Sequence, residues 1–138
     1  MSTVLFVCVH NAGRSQMAEA LFNRAARVKG LHVRAISAGA SPGAGLHPRV
    51  VEAMEELGIS LEGHAPKLLT QAMVGDAARV ITMGCGVEAE SCPARLGDLE
   101  DWGLDDPAGQ PIETVRTIRD LIAANVNALV AELVKAHA

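Results

Sequence analysis

Val4-Leu5-Phe6-Val7-Cys8-Val9-His10-Asn11-Ala12-Gly13-Arg14-Ser15 passes from an unbroken apolar run, through a short turn containing Asn and Gly, into a helix-like stretch. An apolar run bounded by turn residues reads as a strand buried on both faces, the kind found in parallel sheets. Cys8 then falls at the carboxyl end of that strand and Arg14 at the mouth of a helix, where open α/β sheets place their ligands. Loop amides and a helix N-terminus converging on one spot suit a tetrahedral anion. The same field favours thiolate over thiol, which marks Cys8 as a nucleophile. Val9, His10, Asn11, Ala12 and Gly13 form the candidate oxyanion-binding loop. Arg14 closes it with a planar fork that matches two oxygens at once. On these residues alone a second reading stays open, a core cysteine with a surface Arg nearby.

Outward from this segment, helices and strands alternate. Arg14 to Lys29 carries Met17, Leu21, Ala25 and Val28 near helical spacing and stops at Gly30. His32 to Ser37 reads as a second strand, and Ser37 to Gly45 as a loop by composition. Pro48 opens a helix through about Leu57 that Gly58 ends. Leu68 to Val74 reads as a short helix, Ala78 to Met83 as a third buried strand, and part of Arg95 to Trp102 as a fourth. Val115, Ile118, Leu121, Ile122, Val126, Leu129, Val130 and Leu133 predict one apolar stripe on a final helix. The expectation is an α/β fold: one three-layer domain over residues 1–138, with a four-stranded parallel sheet flanked by helices and right-handed crossovers.

A chain of 138 residues, 49% apolar, suffices for one domain with a core of its own. Its net charge of −4 argues against a nucleic-acid partner, which needs a basic face, but not against local anion binding by amides and one Arg. The apolar stretches fall short of the roughly 18 to 20 residues that span a bilayer, so no membrane partner is expected. Met1-Ser2-Thr3 lacks the basic start of a signal peptide. The expectation is a cytoplasmic protein, where three cysteines are redox-active rather than permanently bridged.

Cys85 and Cys92 follow the third strand, seven positions apart, and Gly84, Gly86 and Pro93 flank them. A segment leaving that strand end can face the sheet edge that presents Cys8, so all three thiols can meet in a relay. Zinc ligation fits poorly, because the spacing is wider than a finger's and no second ligand pair follows. Simple packing stays open. Asp105-Asp106-Pro107 precedes the last helix, and Pro107 restricts Asp106 to an extended conformation that can hold its carboxyl over a neighbouring site. Turn chemistry alone is the bland alternative. Beside a Cys-x5-Arg loop, however, Asp106 is the candidate acid, because oxyanion transfer to a thiolate needs a proton for the leaving oxygen.

Phe6-Val7-Cys8, Asn11, Arg14-Ser15-Gln16-Met17-Ala18-Glu19, Ser37-Ala38-Gly39, Cys85 with Cys92-Pro93, and Trp102 to Gly109 together resemble the thioredoxin-coupled arsenate reductases of the low-molecular-weight protein tyrosine phosphatase superfamily. The resemblance implies arsenate as substrate, with phosphate or sulfate as mimics, thioredoxin as partner, and no cofactor. It implies that Cys8 attacks arsenate, Ser15 steadies the thiolate, Asn11 braces the loop and Asp106 protonates the leaving oxygen. Cys85 would then attack Cys8, and Cys92 would attack Cys85. Val9-His10 and Ala12-Gly13 depart from the family's usual loop residues. Some members bind potassium through residues resembling Asn11, Glu19 and Ser37; here Lys67 falls near where they carry an acidic ligand, and its ammonium could replace the ion, so no metal is assigned. Three rivals remain: arsenate transfer to a small thiol such as mycothiol, phosphatase activity, and oxyanion binding without turnover.

Overall fold

The computed structural model describes residues 2–84 and 100–136. Strand β1 (Ser2–Cys8) leads through the loop into α1 (Arg14–Val28), followed by β2 (Val33–Gly39), α2 (Pro48–Glu55), α3 (Gln71–Asp76), β3 (Arg79–Thr82), β4 (Glu100–Asp101) and α4 (Ile112–Ala136). The strands form one sheet in the order β2-β1-β3-β4, all parallel, as expected. Central position explains why β1 is apolar without alternation: both of its faces are covered.

The pleat sends successive residues of β1 to opposite layers. Val4, Phe6 and Cys8 enter the larger core with Met17, Leu21 and Phe22 of α1, Val50 and Met54 of α2, and Ile118, Ile122 and Val126 of α4. Leu5 and Val7 enter a smaller core with Ala38 and Leu69, against which Met73 and Val74 of α3 pack. Phe6 lies at the centre, with ring centroids 6.1 Å from Phe22 and 5.3 Å from Trp102. Truncating such a side chain to Ala costs about 3–5 kcal/mol.

Several boundaries differ from the sequence reading. β2 runs past Ser37 to take in Ala38 and Gly39, which the composition assigned to the following loop, and Gly39 also bridges to Leu68. Leu68 therefore precedes the short helix, which runs from Gln71 to Asp76. α2 ends at Glu55, two residues short of Leu57, and Gly58 takes φ 74° beyond it. Within the described part of the fourth-strand segment, β4 is only Glu100–Asp101. Leu121 is 51% exposed, so it does not join the apolar stripe of α4. Its neighbour Ile122 does, since adjacent residues point about 100° apart around a helix.

One polar cluster ties the sheet to α4 and another ties α4 to α2. Arg79 of β3 pairs with Glu100 of β4 and, at 3.1 Å, with Glu132 of α4. Arg119 of α4 is buried and donates to the Ala53 carbonyl at 2.8 Å, while Arg119 and Arg116 both pair with Glu56, at 2.8 and 2.6 Å. Arg119 thereby serves a carbonyl in the last turn of α2, one of those a helix end leaves without an intrahelical donor.

Candidate active site

The loop from Cys8 to Gly13 is held through its carbonyls. The Cys8, Val9, His10 and Ala12 oxygens accept from the N–H groups of Ala40 (3.3 Å), Ser41 (2.8 Å), Gly43 (2.9 Å) and His47 (3.0 Å). Asn11 O accepts from Gln16 Nε2 at 3.2 Å and Gly13 O from the Met17 N–H at 3.0 Å. Because a trans peptide points its C=O and N–H in opposite directions, bonding every carbonyl to surrounding segments turns the amides inward. The His10–Asn11 peptide shows which way: its carbonyl meets Gly43, and its N–H donates to Cys8 Sγ at 3.2 Å.

Asn11 reaches this geometry at φ 51°, the one described non-glycine residue with positive φ. Asn tolerates the left-handed region better than most residues, and here its side chain is fully engaged. Gly39, at the end of β2, is where this loop approaches the sheet most closely. A Cβ on it would lie 2.6 Å from Val9 O and 3.0 Å from Asn11 N, so no side chain fits without displacing loop backbone.

Cys8 is 3% exposed, and its sulfur lies 2.9 Å from Ser15 Oγ. Asn11 Nδ2 donates to that oxygen at 2.7 Å, leaving the Ser15 O–H free to donate to sulfur. The sulfur thus faces two donors, an arrangement suited to negative charge. No side chain caps the start of α1 and no acid lies in its first turn, so its first N–H groups remain anion donors.

Arg14 is 7% exposed, and its Nη1 donates to Met83 O at 3.2 Å and Leu104 O at 2.7 Å. Two carbonyls, beyond the ends of β3 and β4, fix the guanidinium plane. Nη2 lies 3.9 Å from Asp106 Oδ2. The Asp106 carboxyl is half exposed, and its Oδ1 accepts from the Ala108 N–H at 2.9 Å. Cys8, Ser15, Arg14 and Asp106 therefore lie at one end of the sheet, as the topological rule for parallel sheets requires. His10 is exposed at its rim and donates Nδ1–H to Ser41 O at 3.0 Å. Cys85 and Cys92 lie outside the described residues.

Glu19, Ser37, Lys67 and Asn11 do meet behind the loop, in an arrangement that does not fit a bound cation. Glu19 Oε1 accepts from Ser37 Oγ at 3.0 Å and lies 3.8 Å from Lys67 Nζ, and Oε2 lies 3.3 Å from His64 Nδ1. Asn11 Oδ1 already accepts from Gln16 Nε2 and the Lys67 N–H. The oxygens a potassium ion needs are spoken for by internal donors. Sequence reading assigned no role to Gln16 or His64, which pair with each other across 48 positions and so leave no trace of that bond in local spacing.

The chain matches the low molecular weight phosphotyrosine protein phosphatase family over residues 3–138. A relative from Halobacterium salinarum, provisionally named an arsenate reductase, is 40% identical over 123 residues, which is 88% of this chain and 85% of its own. The glutaredoxin arsenate reductase of Synechocystis is 34% identical over 134 residues, 96% and 99% of the two chains. Among solved structures, an arsenate reductase in the phosphate-binding state superposes with a TM-score of 0.81 at 34% identity, covering 96% of this chain and 99% of the other. The thioredoxin-dependent arsenate reductase of Corynebacterium glutamicum gives 0.75 at 36% identity, over 96% of this chain and 62% of its own. By sequence and by fold, this chain belongs to the low molecular weight phosphotyrosine protein phosphatase family.

Proposed function

We propose that this protein reduces arsenate to arsenite through Cys8, Cys85 and Cys92, and that thioredoxin returns it to the dithiol state. The observation that supports oxyanion chemistry at Cys8 is the pairing of a loop that aims donors at its sulfur with an Arg14 guanidinium fixed in plane by Met83 O and Leu104 O; the relay rests on the presence of Cys85 and Cys92 in the sequence. The naming of relatives as arsenate reductases supports the choice of oxyanion.

In the proposed sequence, Cys8 Sγ attacks arsenic while the loop amides and Arg14 hold the oxygens. Asp106 supplies the proton with which one oxygen departs as water. Cys85 thiolate then attacks Cys8 Sγ, and the S–As bonding pair stays on arsenic, which leaves as arsenite. Arsenic gains two electrons, and the two sulfurs lose them as a Cys8–Cys85 disulfide. Cys92 attacks Cys85 and frees Cys8, and thioredoxin, a dithiol, reduces the Cys85–Cys92 bond by two further exchanges. This chemistry belongs to a reducing compartment and places the protein in the cytoplasm.

A second reading of the reductant has its own support, since one relative is named a glutaredoxin arsenate reductase. A phosphatase needs Cys8, Arg14 and Asp106 but neither later cysteine; weak hydrolysis of phosphate esters is expected as a side activity of the same loop. The deciding experiment follows NADPH consumption with arsenate, comparing thioredoxin and its reductase against glutaredoxin with a small thiol. Steady turnover with thioredoxin that stops after about one equivalent in Cys92→Ser is the expected result. Turnover only with the small thiol, or a dispensable Cys92, contradicts the relay.

A further inference from the structure

From Thr82 O to the Gly84 N–H, each polar backbone group of the chain leaving β3 has a partner. Thr82 O accepts from the Trp102 N–H at 2.9 Å, and the Met83 N–H donates to Val7 O at 3.1 Å. Met83 O accepts from the Leu104 N–H and from Arg14 Nη1, each at 3.2 Å. Gly84 lies past the pairing of β3 with β4, and its N–H donates instead to the Asp101 carboxylate at 2.7 Å. The same oxygen, Oδ1, accepts from Thr82 Oγ1 at 2.8 Å, a closer acceptor for that hydroxyl than Glu100 O at 3.4 Å. One carboxylate oxygen thus spans the last residue of β3 and the residue two beyond it. Gly84 turns there at φ 77°, and a Cβ on it would collide with Leu104 N and lie 2.7 Å from Gly103 Cα. The turn is therefore pressed against the backbone that leads to Asp106, where only glycine fits.

We propose that Asp101 is a positioning residue for the thiol exchange: its carboxylate fixes Gly84, the residue before Cys85, and so sets the direction in which the chain leaves β3. The proposal rests on the reading that Cys85 attacks Cys8, and not on arsenate as the oxidant. Parallel register sets Val7 beside Thr82, so the chain leaves β3 level with Cys8. Neighbouring strands lie about 4.8 Å apart, and a disulfide needs its two Cα atoms within about 7 Å. The latitude between those figures is about 2 Å, so the direction taken at Gly84 decides whether the following residue stays in range. Gly103 and Leu104 wall the turn on one side, and Asp101 ties it on the other through a charge-assisted hydrogen bond. Among the described residues, the Asp101 carboxylate bonds only to Thr82 and Gly84, so its loss leaves the oxyanion loop as it stands.

The test uses protein carrying Cys92→Ser, so that Cys8 and Cys85 are the only thiols, equilibrated with reduced and oxidised glutathione. Two protein thiols and one oxidised glutathione give one protein disulfide and two reduced glutathiones, so the equilibrium reads the effective concentration of Cys85 at Cys8. Asp101→Ala lowers it about tenfold. Asp101→Asn keeps an acceptor oxygen for Thr82 and Gly84 and stays within about twofold of the parent. With Cys85→Ser added, alkylation of Cys8 by iodoacetamide runs at the same rate in all three, which separates a lost position from a damaged nucleophile. A parent value in Asp101→Ala, an Asn variant as low as Ala, or slowed alkylation in Asp101→Ala overturns the proposal. Where Asp101→Ala does not fold, Thr82→Val removes the hydroxyl that aims the carboxylate; a value about threefold lower is expected, and a parent value overturns the proposal. If glutathione gives this pattern while arsenate leaves both thiols reduced, the substrate reading fails and the role of Asp101 stands. If the parent forms no Cys8–Cys85 bond, the relay reading fails and takes the proposal with it.

Discussion

The loop around Cys8 and the loop that carries Asp106 face each other across the same site, yet they are held very differently. In the first, each carbonyl from Cys8 to Gly13 has a donor, and Asn11 is fixed at both ends of its side chain. In the second, Asp106 sits half exposed, with one backbone N–H on its carboxyl and Arg14 3.9 Å away. The difference matches the work proposed for each. An oxyanion loop gains from donors fixed before the anion arrives, since nothing then has to reorganise during reaction. A proton donor must meet a leaving oxygen whose position shifts as the bond breaks, and a solvent-facing carboxyl can be recharged with a proton between turnovers.

The largest effect is expected at the residue that joins the two loops. Arg14→Lys keeps the charge but cannot both donate to Met83 O and Leu104 O and present a flat fork to the anion. Its kcat/KM for arsenate falls about 10³-fold, read in the coupled assay. Gly39→Ala strikes the held loop from behind. Its Cβ would press on Val9 O, and denaturant unfolding should show a loss of about 2 kcal/mol together with slower arsenate turnover.

The smallest effect belongs far from either loop, at the clamp between α2 and α4. The Arg116 hydrogen bond, with help from Arg119, holds the Glu56 carboxyl below its ordinary range against the opposing effect of desolvation. A carboxyl whose folded value is depressed stabilises the protein above the unfolded value and stops doing so as pH falls through the folded one. Glu56→Gln therefore lowers the thermal midpoint slightly at neutral pH, the gap to wild type closes in acid, and turnover per folded molecule is unchanged. A change in turnover would mean that the rigid loop depends on this distant clamp.

Most of the fold was legible because the strands that matter are simple. From Val4 to Cys8 β1 is apolar without a break, as a central strand is, and α1 follows it after a turn with Asn and Gly. Cys8, Arg14, Ser15 and Asp106 were legible as a group because the strand-loop-helix order dictates where the first three meet. Ala38 and Gly39 misled, since small residues resemble a loop; here they extend a strand whose glycine lets the oxyanion loop pass close by. Leu121 misled because it stands at helical spacing from Ile118, yet it lies at the edge of the stripe and points to solvent while Ile122 points into the core. Nothing local announced Gln16 and His64. Their pairing exists only once the turn before α3 folds back onto α1.

The relay itself is tested most directly by mapping disulfides after a single turnover with arsenate and no reductant. Mass spectrometry of wild type should show one Cys85–Cys92 bond with Cys8 free, and Cys92→Ser should trap a Cys8–Cys85 bond. Three free thiols after arsenate exposure, or a Cys8 adduct with Cys85 and Cys92 both reduced, would contradict it.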